Sequence, residues 1–297
     1  MVTPTIILPI YNGTRYLNEA IVSVLRQSYS SWKLLIVDDA SSDDPTVIIR
    51  RHVDSRISYI RQDRNVGLYS SLSCSISSAS SDWISIIMQD DRLKPNYLQE
   101  MISLAVKYPL VNAIWATEDI IDANGEVLQR GRTTRRLEII QPGLSSWASV
   151  LQRGCIWTIS GSFTRGSLLN LIPFRGDLPH CGDYEWLLRA IRQQPFLYFE
   201  ESLAEIRQHE GQASTSNLRA ARDVEETYKI LRDNFAFHGR ELSIPHRIRI
   251  CLKRSRSTFA RAARNCARFR MRSAKKLIRY GIRFLTLPFV CTRRRRL

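Results

Sequence analysis

The sequence predicts an α/β protein, a mostly parallel sheet with helices on both faces, followed by a basic helical extension at the carboxyl end. Three observations carry this. Short, wholly apolar runs end at Pro or Asp, amphipathic segments of helical period lie between them, and the net positive charge is confined to the end of the chain.

The first apolar run, Thr5-Ile6-Ile7-Leu8, stops at Pro9, and the second, Lys33-Leu34-Leu35-Ile36-Val37, stops at Asp38-Asp39; both read as strands buried on both faces. Between them Leu17, Ala20, Ile21, Val24 and Leu25 recur at helical spacing with polar residues opposite. A helix is expected from Asp43 or Asp44, with Pro45 in its first turn. A strand at 57–60, a helix after Gly67 and a strand at 83–88 continue the alternation, which implies parallel pairing. A helix after Lys94-Pro95 reaches about Lys107, a strand covers 113–117, and Asn124-Gly125 marks a hairpin. Beyond it the pattern predicts a polar, arginine-rich mobile loop at 130–145, strands at 156–163 and 203–206, and helices at 184–191 and 217–235.

Residues 240–297 hold 19 Lys and Arg against one acid, Glu241, a local +18 in a chain of net +16, so residues 1–239 net −2. The expected organisation is therefore a body at 1–238 and a basic helical tail at 240–297. No apolar run approaches the length of a spanning helix and no signal-peptide pattern opens the chain. Six cysteines without paired spacing point to a reduced, cytoplasmic protein.

In open parallel sheets ligands bind beyond the carboxyl ends of the strands, and the acids of this chain fall there. Asp38-Asp39 follows the second strand, where an acid also suits a helix cap. Asp90-Asp91 follows Ile84-Ser85-Ile86-Ile87-Met88-Gln89, and adjacent carboxylates call for a cation or hydrogen-bond donors nearby.

Four segments in order resemble family 2 glycosyltransferases of the GT-A fold: Ile6-Ile7-Leu8-Pro9-Ile10-Tyr11-Asn12, Leu35-Ile36-Val37-Asp38-Asp39-Ala40-Ser41-Ser42-Asp43, Asn65-Val66-Gly67, and Ile86-Ile87-Met88-Gln89-Asp90-Asp91. The last is similar to the family's DXD motif with Gln89 in place of an Asp. The likeness is strong to about residue 120 and continues to about 215. It implies a donor half at 1–120 and an acceptor half at 121–238. It implies that Pro9, Tyr11, Asn12, Asp39, Asn65, Gly67 and Asp90 bind a nucleotide sugar, and that Asp91 and His209 hold a divalent metal, Mn²⁺ or Mg²⁺. Asp183, in Cys181-Gly182-Asp183-Tyr184-Glu185-Trp186, matches the catalytic base, although many members carry Glu-Asp where this chain has Gly182-Asp183; a helix cap is its other role.

The resemblance implies inverting transfer of one sugar from a nucleotide diphosphate donor to a glycan or lipid-linked acceptor hydroxyl. The Gln-x-x-Arg-Trp signature of processive synthases is absent, which favours single transfers. The alternatives are a sugar nucleotidyltransferase, which would need a Gly- and Arg-rich loop where Pro9-Ile10-Tyr11-Asn12 stands, and a non-enzymatic scaffold acting through the tail. In that tail Ala260, Ala263, Ala267, Met271, Ala274, Ile278 and Ile282 form one stripe, and Arg261, Arg264, Arg268, Arg272, Lys275, Arg279 and Arg283 another about 100° away. Such a helix suits an anionic membrane surface first, a solvated or partner-binding end next and nucleic acid last, since no aromatics are interleaved to stack bases.

Overall fold

The computed structural model describes residues 2–268 and 270–289. In chain order the elements are β1 (Thr5–Ile10), α1 (Thr14–Leu25), β2 (Lys33–Asp38), α2 (Thr46–Ile49), β3 (Ile57–Arg61), α3 (Leu68–Ser78) and β4 (Trp83–Ile86). There follow β5 (Arg92–Leu93), α4 (Tyr97–Lys107), β6 (Ala113–Ile121), β7 (Val127–Gln129), β8 (Leu137–Ile140), α5 (Leu144–Arg153), β9 (Ser162–Arg165), α6 (Gly166–Leu171), α7 (Gly182–Ala190) and β10 (Phe196–Arg207). The chain closes with α8 (Ala213–Arg219), α9 (Arg222–His238), α10 (Ile244–Ala267) and α11 (Met271–Thr286).

Two compact units result, Met1–Gly143 with Trp157–His209, and Leu144–Ile156 with Glu210–Leu297. Among the described residues the first holds every strand, in the order β3-β2-β1-β4-β9-β6-β10-β5, with β7 on β6 and β8 on β10. Pairing is parallel from β3 through β4. Beyond β4 the sheet is mixed, because β9 runs antiparallel to both β4 and β6 while β10 is parallel to β6. These directions bring the carboxyl ends of β1, β2, β3, β4 and β10 to one edge. Between β1 and β4 the strand order reverses, which opens a crevice at that edge.

All residues of β1 and β4 are buried, as expected for strands covered on both faces. Ile6, Leu8 and Ile10 share one core with the apolar stripes of α1 and α4. Ile7 alternates to the opposite face, and α3 packs against β1.

Several details differ from the sequence expectation. The strand expected at 156–163 is β9, four residues beginning at Ser162. The loop at 130–145 contains β8, which pairs with β10. β10 begins at Phe196 rather than 203, because its first four residues are paired on both sides, with β6 and β8.

The second unit is helical. Its core is built from Trp147, Val150 and Leu151 of α5, Ile230, Leu231 and Phe235 of α9, and Leu277 and Phe284 of α11. The single stripe read over 260–282 is divided, since the helix stops at Ala267 and a new one starts at Met271. α10 and α11 pack on each other, and the residues buried along α10 are Ile250, Cys251, Ser255, Thr258, Ala262 and Asn265 rather than Ala260, Ala263 and Ala267. Arg261 forms a two-point ion pair with Asp223 of α9, at 2.6 and 2.8 Å, and Lys276 pairs with Glu225 at 2.7 Å. The segment after 239 is thus packed onto α9. The arginine run at 293–296 lies outside the described residues.

Candidate active site

Apart from Pro9, which lies within β1, each candidate donor residue follows a strand whose carboxyl end lies at that edge. Pro9 is buried in β1 opposite Val37, and it delivers Tyr11, 47% exposed, to the edge. Asn12 turns the chain with φ 47°, a conformation Asn tolerates. Its backbone N–H donates to Ser41 Oγ at 3.0 Å, and its Oδ1 accepts from Ser42 N at 2.7 Å. The loops after β1 and β2 are therefore sewn together through Asn12.

Asp38 and Asp39 divide their work. Asp38 is wholly buried and accepts from Ser41 N, the Tyr59 hydroxyl and Arg61 Nη1, so it braces the loop. Asp39 accepts from Val66 N and Gly67 N, both at 2.8 Å, one amide to each oxygen. Gly67 has φ 86°, which places both amides on the carboxylate and starts α3. The expected partners Asp39 and Gly67 are in direct contact, while Asn65 beside them is exposed. Each Asp39 oxygen keeps acceptor capacity for a further donor.

After β4, Gln89 turns back to Tyr11, and Asp90 and Asp91 point in different directions. His209 Nε2 lies 3.2 Å from Asp90 Oδ2. Asp91 is buried and accepts from the backbone N–H of Arg207 at 2.9 Å. Burial, with Asp90 alongside, pushes its carboxyl up to about 8 against the opposing pull of the Arg207 amide and the Ser160 hydroxyl. The resemblance implied Asp91 and His209 together; in the structure His209 meets Asp90, while Asp91 accepts from the amide of Arg207 at the end of β10, two residues before His209. Among the described residues no group of three or more His, Cys, Asp or Glu converges.

Two residues missed as site components hold this turn. Arg207, fully buried, donates to the Asp90 carbonyl, to the carbonyls of Asp122 and Ala123, and to Glu19 Oε2 at 2.6 Å, with its guanidinium 4.3 Å from the centre of the Tyr16 ring. The same ring lies 5.0 Å from that of His209. Ser160, just before β9, accepts from Met88 N through its hydroxyl. A buried Arg at a strand end was the available signal; Ser160 had none, since its approach depends on β9 pairing with β4.

Asp183 lies in the first turn of α7, and its Oδ1 accepts from Tyr184 N at 2.7 Å. Its neighbour Gly182 is buried, with a Cβ position only 2.5 Å from the Tyr69 ring. Tyr69 stands two residues beyond the Gly67 amide held by Asp39, so the departure to Gly182 lets α7 close onto the donor loop.

The match of this chain to a family model makes it a glycosyltransferase. The glycosyl transferase family 2 model matches residues 5–161, more than half of the chain, and the protein belongs to that family. It is 26% identical over 227 residues to an uncharacterised glycosyltransferase of Rickettsia prowazekii, covering 75% of this chain and 70% of that protein. It spans only 35% of a similar Rickettsia felis protein. Over 123 residues, 41% of this chain and 48% of the other, it is 31% identical to the Escherichia coli UDP-Glc:alpha-D-GlcNAc-diphosphoundecaprenol beta-1,3-glucosyltransferase WfgD. The crystal structure of residues 1–349 of Staphylococcus aureus TarS with UDP-GlcNAc superposes with a TM-score of 0.59 at 13% identity, covering 97% of this chain and 91% of that one, a likeness of fold.

Proposed function

We propose that the protein transfers a single sugar from a nucleotide diphosphate sugar to a hydroxyl of a glycan or lipid-linked acceptor, with inversion at the anomeric carbon. The carrying observation is the joining of four loops at one strand edge: Tyr11 to Gln89, Asn12 to Ser41 and Ser42, and Asp39 to Val66 and Gly67. Tyr11 is exposed to pack on a base, and Asp39 accepts from the base or ribose with its remaining lone pairs.

Asp90 and His209 supply one carboxylate and one imidazole at 3.2 Å, a donor set that suits Mn²⁺ or Mg²⁺ when diphosphate oxygens complete the shell. A cation held there would neutralise charge on the leaving diphosphate. Asp91 serves this pair by fixing the Arg207 amide, and Arg207 fixes the Asp90 carbonyl. Asp183 takes the proton of the acceptor hydroxyl, as the matching family residue does. The name of the E. coli relative supports a diphosphate-linked lipid as acceptor.

The test is release of nucleoside diphosphate from a panel of nucleotide sugars, with Mn²⁺, Mg²⁺ or chelator, for the wild type and for Asp90→Ala and His209→Ala. Metal-dependent turnover of one donor, lost in both variants, is expected. Turnover unaffected by chelator and by both substitutions would remove the cation from the mechanism.

A further inference from the structure

α11 carries three faces. Ala274, Leu277, Tyr280, Gly281 and Phe284 are buried against the rest of the helical unit. Met271, Ile278, Ile282 and Leu285, separated by steps of seven, four and three, form a second apolar stripe that faces solvent, with exposures of 40–54%. Arg272, Lys275, Arg279 and Arg283 run beside it, all exposed. The rotation of the helix is fixed, so the exposed stripe is not a packing accident. Ser255 Oγ donates to the Gly281 carbonyl at 2.9 Å, Asn265 donates to Ser273 Oγ at 3.0 Å, and the Tyr280 and Phe284 rings each lie 5.6 Å from that of Tyr228 on α9. Turning the stripe inward would break all of these.

Soluble surfaces rarely carry a continuous apolar stripe, and one flanked along its length by cations selects its own partner. A protein partner could be of either charge, and nucleic acid would use the cations but leave the apolar side chains in water. Where α11 begins, Arg219, Arg270, Arg272, Ser273 and Lys276 line an open concavity wide enough for a phosphate headgroup. We propose that this face of α11 docks on an anionic phospholipid bilayer, Met271, Ile278, Ile282 and Leu285 entering the acyl boundary while the neighbouring basic side chains reach the headgroup phosphates. The proposal is independent of the transfer reaction.

Co-sedimentation of the full-length chain with vesicles of pure phosphatidylcholine, or of phosphatidylcholine with 30% phosphatidylglycerol, tests it. Binding is expected only to the anionic vesicles, weakening as salt is raised. Ile278→Ser with Ile282→Ser and Leu285→Ser should lower it about tenfold or more. Arg272→Gln with Lys275→Gln and Arg279→Gln should lower it by about fivefold per charge. Because these side chains are exposed, the melting temperature should not move. Ile282→Trp adds a second reading, since Trp favours the interface and should tighten binding. Absence of binding by the wild type, serine variants that bind like it, or looser binding by Ile282→Trp would each overturn the proposal. So would a chain that sediments as a dimer and becomes monomeric on the serine substitutions, which would make a second copy the occupant. Binding to a short oligonucleotide in place of vesicles, lost with the Gln but not the Ser set, would point to nucleic acid instead.

Discussion

Gln89 grips the backbone of Tyr11 at both ends of its amide. Oε1 accepts from Tyr11 N at 2.8 Å, and Nε2 donates to the Tyr11 carbonyl at 3.3 Å. The turn that carries Asp90 is thereby tied to the loop that presents the Tyr11 ring. A residue that looked like a missing carboxylate in the sequence is a brace.

Gln89→Ala should raise the donor KM by about tenfold, the cost of two partly exposed hydrogen bonds at about 0.5–1.5 kcal/mol each. Gly13 gives an independent route to the same state. Its φ of −132° accepts a side chain, but a Cβ there would lie 2.1–2.3 Å from the Gln89 amide. Gly13→Ala should therefore evict Gln89 without unfolding the loop. The double variant should be no worse than either single one. Additive losses in steady-state kinetics would show that Gln89 and Gly13 act separately.

Asp39→Ala should release the amides of Val66 and Gly67 together. Hydrogen bonds to a charged acceptor are worth about 1.5–3 kcal/mol, so both thermal stability and nucleoside diphosphate affinity should fall. Asp39→Asn, which presents N–H groups to one of two N–H donors, should recover only part of the loss. Full recovery with Asn would mean that one amide contact suffices.

The fold was legible where periodicity is strong. β1, α1, β2 and the alternation to β4 follow from apolar runs and stripes that are local in sequence. What was hidden depends on pairing between distant segments. The mixed half of the sheet arises because β9 enters between β4 and β6, and nothing local in Ser162–Arg165 announces its direction. At the site the residue types were legible and their partners were not. Asp91 and His209 were both legible as candidates, yet which acid meets the imidazole is set by the register of β10 against β5, where Glu205 pairs with Arg92. In the tail the composition is dominated by charge, and the buried stripe of α10 mixes Ile250 and Ala262 with Cys251, Ser255, Thr258 and Asn265, so an apolar count alone does not trace it.

Asp91 gives a prediction in pH. Its carboxyl is raised from an ordinary 3.8 to about 8 by burial and by Asp90, so the folded state holds a proton that the unfolded state has released across that interval. Its favourable contribution is complete below about pH 3.8 and declines as pH rises towards 8. Asp91→Asn keeps the acceptor oxygen for Arg207 N and carries no titrating group. In metal-free buffer its melting temperature should exceed that of the wild type at pH 7.5–8.5, with the gap closing near pH 4. A gap that is constant with pH would show that Asp91 is ionised throughout.

Asp183→Asn keeps the acceptor that Tyr184 N uses in the first turn of α7, so the helix should survive. Sugar transfer should fall by a factor of about 10² to 10⁴, the range for a positioned base, while donor binding stays within about twofold. Transfer at the wild-type rate would assign proton removal to another group. A fall in melting temperature together with activity would mark Asp183 as a cap alone.

Gly281 distinguishes a packed tail from an appended one. Gly281 sits inside α11, where Gly costs about 1 kcal/mol relative to Ala on an exposed helix face. Here a Cβ would come within 2.8–3.1 Å of the Phe259 ring on α10. The absence of a side chain lets the two helices approach closely enough for Ser255 Oγ to reach the Gly281 carbonyl. Overpacking such a contact costs about 1–3 kcal/mol, which outweighs the gain in helix propensity. Gly281→Ala should therefore lower the melting temperature, and Phe259→Leu, by shortening the opposing ring, should restore part of it. For the same reason deletion after residue 239 should leave the buried faces of Ile230, Leu231 and Phe235 in water, giving protein that aggregates on heating well below the full-length chain. If Gly281→Ala is stabilising and the truncated chain melts like the wild type, α10 and α11 are a free extension, and the rotation that exposes the Met271 stripe is not fixed by packing.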